Sequence, residues 1–368
     1  MDPTQTEKPL LRDYLNSLVF IATIGLLFAL NLIVKPPAIL VSERRPPAVL
    51  PPITVRSIRS GSFMKGFEAY AADHFVFREA FRSVRAATVF GPFLQSDKNG
   101  LYFGDAGIGE FKPVDPLAAR QTAEKIKKVA DTAPDCRVFY SLVPDKSIYA
   151  GKYLPGLDLE AVEALLADVL ADFTYISLSD CLDAGSYYPS DLHWDQARIA
   201  GVVDRLGEAM GVTHDLRAFR PMLAGAFHGV YAGQIALPVA WDQMIYEELP
   251  GLQARRLNDS TLLYEACPVY DLERFAGPDP YDLFLQGPQA IVELLNPSVS
   301  GGELYLFRDS YGSSLAPLLA GAYSKVTLID LRYIDLRVLD QFLTIRPGSD
   351  LLFLYSSQIL NNPSVLRV

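Results

Sequence analysis

The sequence predicts an α/β protein: a parallel sheet covered by helices, carrying an irregular insertion and preceded by one membrane-length apolar helix. Three observations lead there. Short apolar runs alternate with segments whose apolar residues recur at three and four, the pattern of buried parallel strands joined by crossover helices. Residues 15–34, LNSLVFIATIGLLFALNLIV, carry no charge. Between about 211 and 300 the alternation gives way to a stretch rich in Gly, Pro and Tyr, read as an insertion packed beside the sheet.

Taken in order, residues 1–14 form a polar tail. The uncharged run that follows is 20 residues long, enough at helical rise to cross a hydrocarbon core of ~30 Å. No small-x-small cleavage site follows it, so it reads as a retained anchor rather than a cleaved leader. Lys8 and Arg12 precede the run while Lys35, Arg44 and Arg45 follow it, so positive charge alone does not choose an orientation. Residues 35–60 begin KPPAILVSERRPPAVLPPI, a proline-dense stretch expected to be an extended, semi-rigid stalk.

The body is expected to fill 61–368. FMKGFEAYAADHFVFREAFRSVRAATVF (63–90) has helical spacing with a break near His74, and SDKNGLYF (96–103) reads as a turn and short strand. A helix over 116–132 leads into the apolar run CRVFYSLV (136–143). A second helix over 158–172 leads into FTYISL (173–178), and a third begins near Asp195. ELYLF (303–307), KVTLI (325–329) and LLFLY (351–355) are three further strands separated by helix-like segments.

Bulk properties narrow the function. Half the residues are hydrophobic and 21% are charged, the balance of a folded body plus an apolar segment. A net charge of -10 and the lack of any Lys/Arg-rich run disfavour nucleic acid. Cys136, Cys181 and Cys267 are odd in number and widely spaced, so they define neither a disulfide framework nor a zinc site. The four histidines show no ligand spacing, and no metal or other cofactor is expected.

In open α/β sheets, ligands collect beyond the carboxyl ends of the strands. There the sequence places Lys146 after the first strand, Arg308, Asp309, Ser310 and Tyr311 after ELYLF, and Arg332 after KVTLI. Ser310 sits where a strand turns into a helix, so a helix N-terminus would lie beside its hydroxyl to stabilise an oxyanion. A serine hydroxyl needs an imidazole base held by a carboxylate, and Asp191 with His193 offers both within three residues. Taken singly, Ser310 reads equally well as a helix cap and His193 as a buried packing residue. Lys146, Tyr311, Arg332 and Trp194 are candidate substrate contacts; each could instead serve the fold.

YYPSDLHWDQARIAG (187–201) resembles the signature of the DHHW family, relatives of the permuted SGNH-type proteins that acetylate alginate. ADHFVFREAF, NGLYF, VPDKSIYAGKYLP, YDLFLQG and LYLFRDSYGSSLAPLLAGAYSKVTLIDLRY resemble family segments in the family's order. The resemblance implies an SGNH-like, flavodoxin-like sheet, with Asp191 and His193 matching the Asp-x-His pair and Ser310 the serine of the GDS-type block. Two positions depart from it: the block's Gly is Arg308, and the second His of the family's name is Leu192. The expected function is an O-acyl esterase or acyltransferase of the cell envelope acting on polysaccharide, with an acyl donor or envelope proteins as partners. It would be held in the cytoplasmic membrane by a single span, with its body outside. The alternative is a non-catalytic envelope scaffold or glycan-binding protein of the same fold.

Overall fold

The structure, a computed structural model, describes residues 11–152 and 154–368, so most of the expected tail lies outside the described residues. The chain forms two compact units, 1–88 and 89–368. The sheet lies in the second of these units.

In the first unit, α1 (Leu11–Ile33) takes up nearly all of the uncharged run and is long and apolar enough to cross a membrane. The proline-rich segment is not a bare spacer. Residues 55–59 form a short helix, α2 (Val55–Arg59), started by a capping box between Thr54 and Ser57. Upstream, Arg45 grips both carboxylate oxygens of Asp73 at 2.6 and 2.8 Å, and the Ala48 N–H donates to the same carboxylate. The segment is folded back because a buried carboxylate needs these donors. Asp73 lies on α3 (Ser62–His74), and α4 (Arg78–Phe90) follows after a sharp elbow. The break expected near His74 falls there: Phe75 is extended and Phe77 adopts φ 60°, where a bulky side chain is strained. Arg78 joins the network, 2.6 Å from Glu43 and 3.4 Å from Asp73.

In the second unit, a hairpin of β1 (Leu101–Gly104) and β2 (Gly107–Glu110) precedes the alternating elements. These are α5 (Pro116–Ala130), β3 (Arg137–Val143), α6 (Leu159–Val169), β4 (Thr174–Tyr175) and α7 (Ala200–Met210). Asp115 and Asp158 cap α5 and α6 with their side chains. The insertion supplies β5 (Arg220–Phe227), α8 (Val230–Ile235), β6 (Asp242–Glu248), β7 (Gln253–Leu257), β8 (Tyr264–Cys267), α9 (Leu272–Phe275) and β9 (Ile291–Leu295). The chain closes with β10 (Glu303–Arg308), α10 (Tyr311–Leu319), β11 (Lys325–Ile329), β12 (Asp350–Ser356) and α11 (Ser357–Leu360).

Eight strands make one sheet in the order β4-β3-β12-β10-β11-β9-β7-β8. The first five are parallel to one another and the last three pair antiparallel. The expected runs at 138–143, 304–307 and 351–355 are adjacent parallel strands, as an SGNH-like sheet requires. The insertion does more than pack beside the sheet, since it extends the sheet by three strands. Ile291–Leu295 is itself an apolar run, while β7 carries Arg255 and Arg256 between its inward Ala254 and Leu257, which hides it among loop residues. Only β5 and β6 form a separate ribbon.

The period-two alternation of each strand divides the core. Leu304, Leu306, Leu352 and Leu354 face α7 and α10 on one side. Tyr305, Phe307, Leu351 and Phe353 face α5 and α6 on the other. Burial on both faces explains why these strands read as continuous apolar runs. All three cysteines are free thiols.

Candidate active site

Residues 187–194 form a tight loop ahead of α7. Tyr187 and Trp194 bridge across it, and the Tyr188 N–H donates to the His193 carbonyl. Asp191 projects inward with no exposure. Its Oδ1 lies 2.7 Å from His193 Nδ1 and also accepts the His193 backbone N–H, while its Oδ2 accepts the Val230 N–H at the start of α8. With Nδ1 bound to a carboxylate, the imidazole is fixed in the tautomer that leaves Nε2 as an acceptor. His193 Nε2 lies 2.8 Å from Ser310 Oγ.

Ser310 stands at the turn from β10 into α10 and is partly exposed, whereas His193 and Asp191 are buried. It occupies the cap position of α10, yet its side chain makes no capping bond. The hydroxyl points to the imidazole instead. Asp309 organises the turn: its Oδ1 accepts the Tyr311 N–H and its Oδ2 the Ser356 N–H at the end of β12.

Three fastenings hold loop and helix in register across some 120 residues of chain: Trp194 Nε1 donates to Ser314 Oγ, the Tyr311 hydroxyl to the Leu192 carbonyl, and Gln196 Nε2 to the Ser314 carbonyl. The Tyr281 hydroxyl donates to Ser314 Oγ as well. Tyr281 also lies flat against His193, with ring centroids 3.7 Å apart and planes 8° from parallel. A stacked phenol limits the imidazole to motion within its own plane. Sequence reasoning passed over Tyr281, although it opens the YDLFLQG segment.

The four expected substrate contacts have internal duties. Lys146 is buried, and its ammonium donates to the carbonyls of Tyr188, Pro189 and Asp191 at 2.8–3.0 Å. Its three protons are therefore used in holding the loop, and burial pulls its pKa down to about 8 against the pull of Asp191, Asp242 and Asp145. Trp194 has no exposed surface, and the Tyr311 ring packs against both it and His193. Arg332 makes a two-pronged pair with Asp330 at 2.8 and 2.6 Å. For Lys146 these bonds use every hydrogen the ammonium has.

A further expectation changes as well. The N–H groups of Tyr311, Gly312 and Ser313 are bonded within the turn, to Asp309 Oδ1, the Asp309 carbonyl and the Ser310 carbonyl. They are not free donors for an oxyanion, although the positive end of the α10 dipole still faces the hydroxyl. Arg308 turns away from the serine. Its Nη1 donates to the Asp309 carbonyl at 3.2 Å and lies 3.5 Å from Asp330 Oδ2, while Nε and Nη2 find no partner among the described residues.

No family model matches the sequence, and no curated protein matches it. Solved structures do. A DHHW family protein from Eubacterium siraeum superposes with a TM-score of 0.60 over 73% of this chain and 95% of its own, at 18% identity. Two structures of Bacillus cereus PatB1 match over 71% of this chain and 97% of their own: one with a sulfonyl adduct at 12% identity and TM-score 0.53, the other at 13% and 0.56. At these identities the likeness is one of fold, and the chain shares with the DHHW family protein and PatB1 the SGNH-like α/β fold that its sequence resemblance implied.

Proposed function

We propose that this chain is a membrane-anchored O-acyl esterase or acyltransferase of the cell envelope that works on polysaccharide through Ser310, His193 and Asp191. The observation that carries the reading is the continuous hydrogen-bonded chain from Asp191 Oδ1 through both imidazole nitrogens to Ser310 Oγ. Three groups from two distant segments meet at 2.7 and 2.8 Å, with the end member partly exposed. Packing or capping alone does not call for that alignment.

In the proposed reaction Ser310 Oγ attacks the carbonyl carbon of an acyl ester while His193 Nε2 takes the hydroxyl proton. The tetrahedral intermediate collapses, the C–O bond to the leaving alcohol breaks, and that alcohol leaves with the proton returned by His193. Water or a sugar hydroxyl then attacks the acyl-serine, giving hydrolysis or transfer. Asp191 orients the imidazole and balances its charge without taking the proton. Arg308, the residue that raised the non-catalytic alternative, is directed to Asp330 and the Asp309 carbonyl. The apolar α1 supports a membrane span; in this reading residues after 34 lie outside, facing an acyl donor, a polysaccharide or envelope partners.

A fluorophosphonate probe tests the core of this reading, and the sulfonyl adduct described for PatB1 makes a sulfonyl fluoride a natural second reagent. Full-length protein is expected to be labelled at Ser310, with labelling lost in Ser310→Ala and reduced at least about a hundredfold in His193→Ala. Undiminished labelling of Ser310→Ala would refute it.

A further inference from the structure

The first unit exposes aromatic side chains where a water-soluble fold would cover them. At the α3–α4 elbow, Phe75, Phe77 and Phe81 are 39%, 61% and 50% exposed, and Phe75 and Phe81 meet edge to face at 5.6 Å. Phe77 also holds the left-handed backbone conformation that costs a bulky residue most. Between Phe75 and Phe77 the chain turns inward, burying Val76. The strain therefore serves to present a ring outward.

One hydrogen bond fixes the height of this elbow. The Val76 N–H donates to Asn31 Oδ1 at 2.8 Å, and the Asn31 amide donates in turn to the Leu27 carbonyl. Asn31 is the single polar side chain in the last two turns of α1. Leu27, Leu30 and Asn31, spaced three and four apart on one face, are partly covered, whereas Phe28, Leu32 and Ile33 are exposed. At helical rise Asn31 lies about 5 Å inside the end of the apolar run. A group bonded to it stands at the boundary between acyl chains and headgroups, where aromatic rings are favoured and where amphipathic segments bury ~5–10 Å deep. The charged part of the unit, Arg45, Asp73, Arg78 and Glu43, is paired internally.

We infer that the Phe75–Phe81 elbow seats in the interfacial layer of the bilayer that α1 crosses, with Phe75, Phe77 and Phe81 as the inserted side chains. The occupant of this face is lipid, because the bond from Asn31 brings the rings to the membrane helix at that depth. The inference rests on the anchoring reading above and adds a second, peripheral contact to it. The Asn31 side chain is thereby satisfied by the elbow backbone, which removes the cost of an unpaired amide near the hydrocarbon.

Depth-dependent fluorescence quenching in proteoliposomes tests it, using the full-length chain. Phe77→Trp and Phe81→Trp each add one indole over the parent, and Phe20→Trp adds one deeper in the apolar run. The expected result is a blue-shifted added emission at positions 77 and 81, quenched more by lipids brominated near the headgroups than at the chain ends. Position 20 should show the reverse order. Unquenched emission at 77 and 81 beside quenched emission at 20 overturns the inference while leaving the anchor intact; unquenched emission at 20 fails the anchor itself. A blue shift at 77 that follows protein density and not bromine would assign the face to a second copy, and would overturn the lipid assignment too.

Discussion

Lys146 has a role in the site that its sequence position does not announce. A buried ammonium at the end of β3 acts on the imidazole through the backbone it holds, since its three protons go to the carbonyls of Tyr188, Pro189 and Asp191. Below pH 8 the group is charged in folded and unfolded chains alike. Between about 8 and its ordinary value of 10.5 the folded chain has released a proton that the unfolded chain keeps, so stability rises with pH across that window. Activity should move the opposite way, because a neutral amine has two N–H donors for three carbonyls. A pH–rate profile is expected to fall on the alkaline side near pH 8, with no parallel loss in thermal stability. Lys146→Met should lower kcat severalfold or more and remove that alkaline limb. An unchanged limb in the variant would place the titration elsewhere.

Among the elements, the start of α8 is the tightest point of the site. A Cβ on Gly229 would stand 2.3 Å from the Ser190 carbonyl oxygen and 2.4 Å from Asp191 Cβ, so the helix approaches the loop as closely as backbone allows. Gly229 N–H donates to Ser190 Oγ, which donates to Asp242, and the next N–H donates to Asp191. Gly229→Ala is expected to cost about 1–3 kcal/mol in stability, as overpacking does. It should also lower kcat/KM by at least about tenfold, because a displaced Asp191 no longer aligns His193. Chemical denaturation and steady-state kinetics on the same variant separate the two effects.

The elements also show which features the sequence made legible. Strands buried on both faces announce themselves as unbroken apolar runs, which is why β3, β10, β11 and β12 could be located and the first, second and last of them set side by side. β7 and β8 could not, because their charged outward residues break the pattern; β4 falls within the FTYISL run but keeps only two residues of it. The meeting of Asp191, His193 and Ser310 was foreseeable from residue types at strand and helix ends. The inward turning of Lys146 and Trp194 was not, since a donor at a strand end looks the same in sequence whether it faces a ligand or a carbonyl. Tyr281 comes from the irregular insertion, where spacing carries no information about which ring covers which.

At the scale of the whole molecule, the two units differ in what holds them. The second has a continuous two-sided apolar core, whereas the first relies on an ion-pair network around Asp73. The hydrogen bonds from Arg45 hold the Asp73 carboxyl down at about 2, below its ordinary 3.8. The stabilisation this represents is complete above about pH 4 and is lost as pH falls towards 2. Hydrogen exchange on full-length protein should therefore show residues 41–88 losing protection in that acid window before β3, β10 and β12 do. Asp73→Asn should abolish that pH dependence and weaken the unit at neutral pH by about 2 kcal/mol. Simultaneous loss of protection in both units would argue against it.

The place of β12 in the sheet has a temporal consequence. It lies between β3 and β10, yet its residues are synthesised roughly 200 positions after β3, so the middle of the sheet is the part made late. Until it arrives, the half that ends in Lys146 and clasps the Asp191 loop has no strand joining it to the half that ends in Ser310. The Ser356 N–H that steadies Asp309 comes from the same strand. A growing chain thus contains nucleophile, base and carboxylate about 40 residues before the central strand is made. A copy cut short before residue 350 would keep every reacting group and the bonds from Trp194, Gln196 and Tyr311, yet lack the strand that sets β3 beside β10.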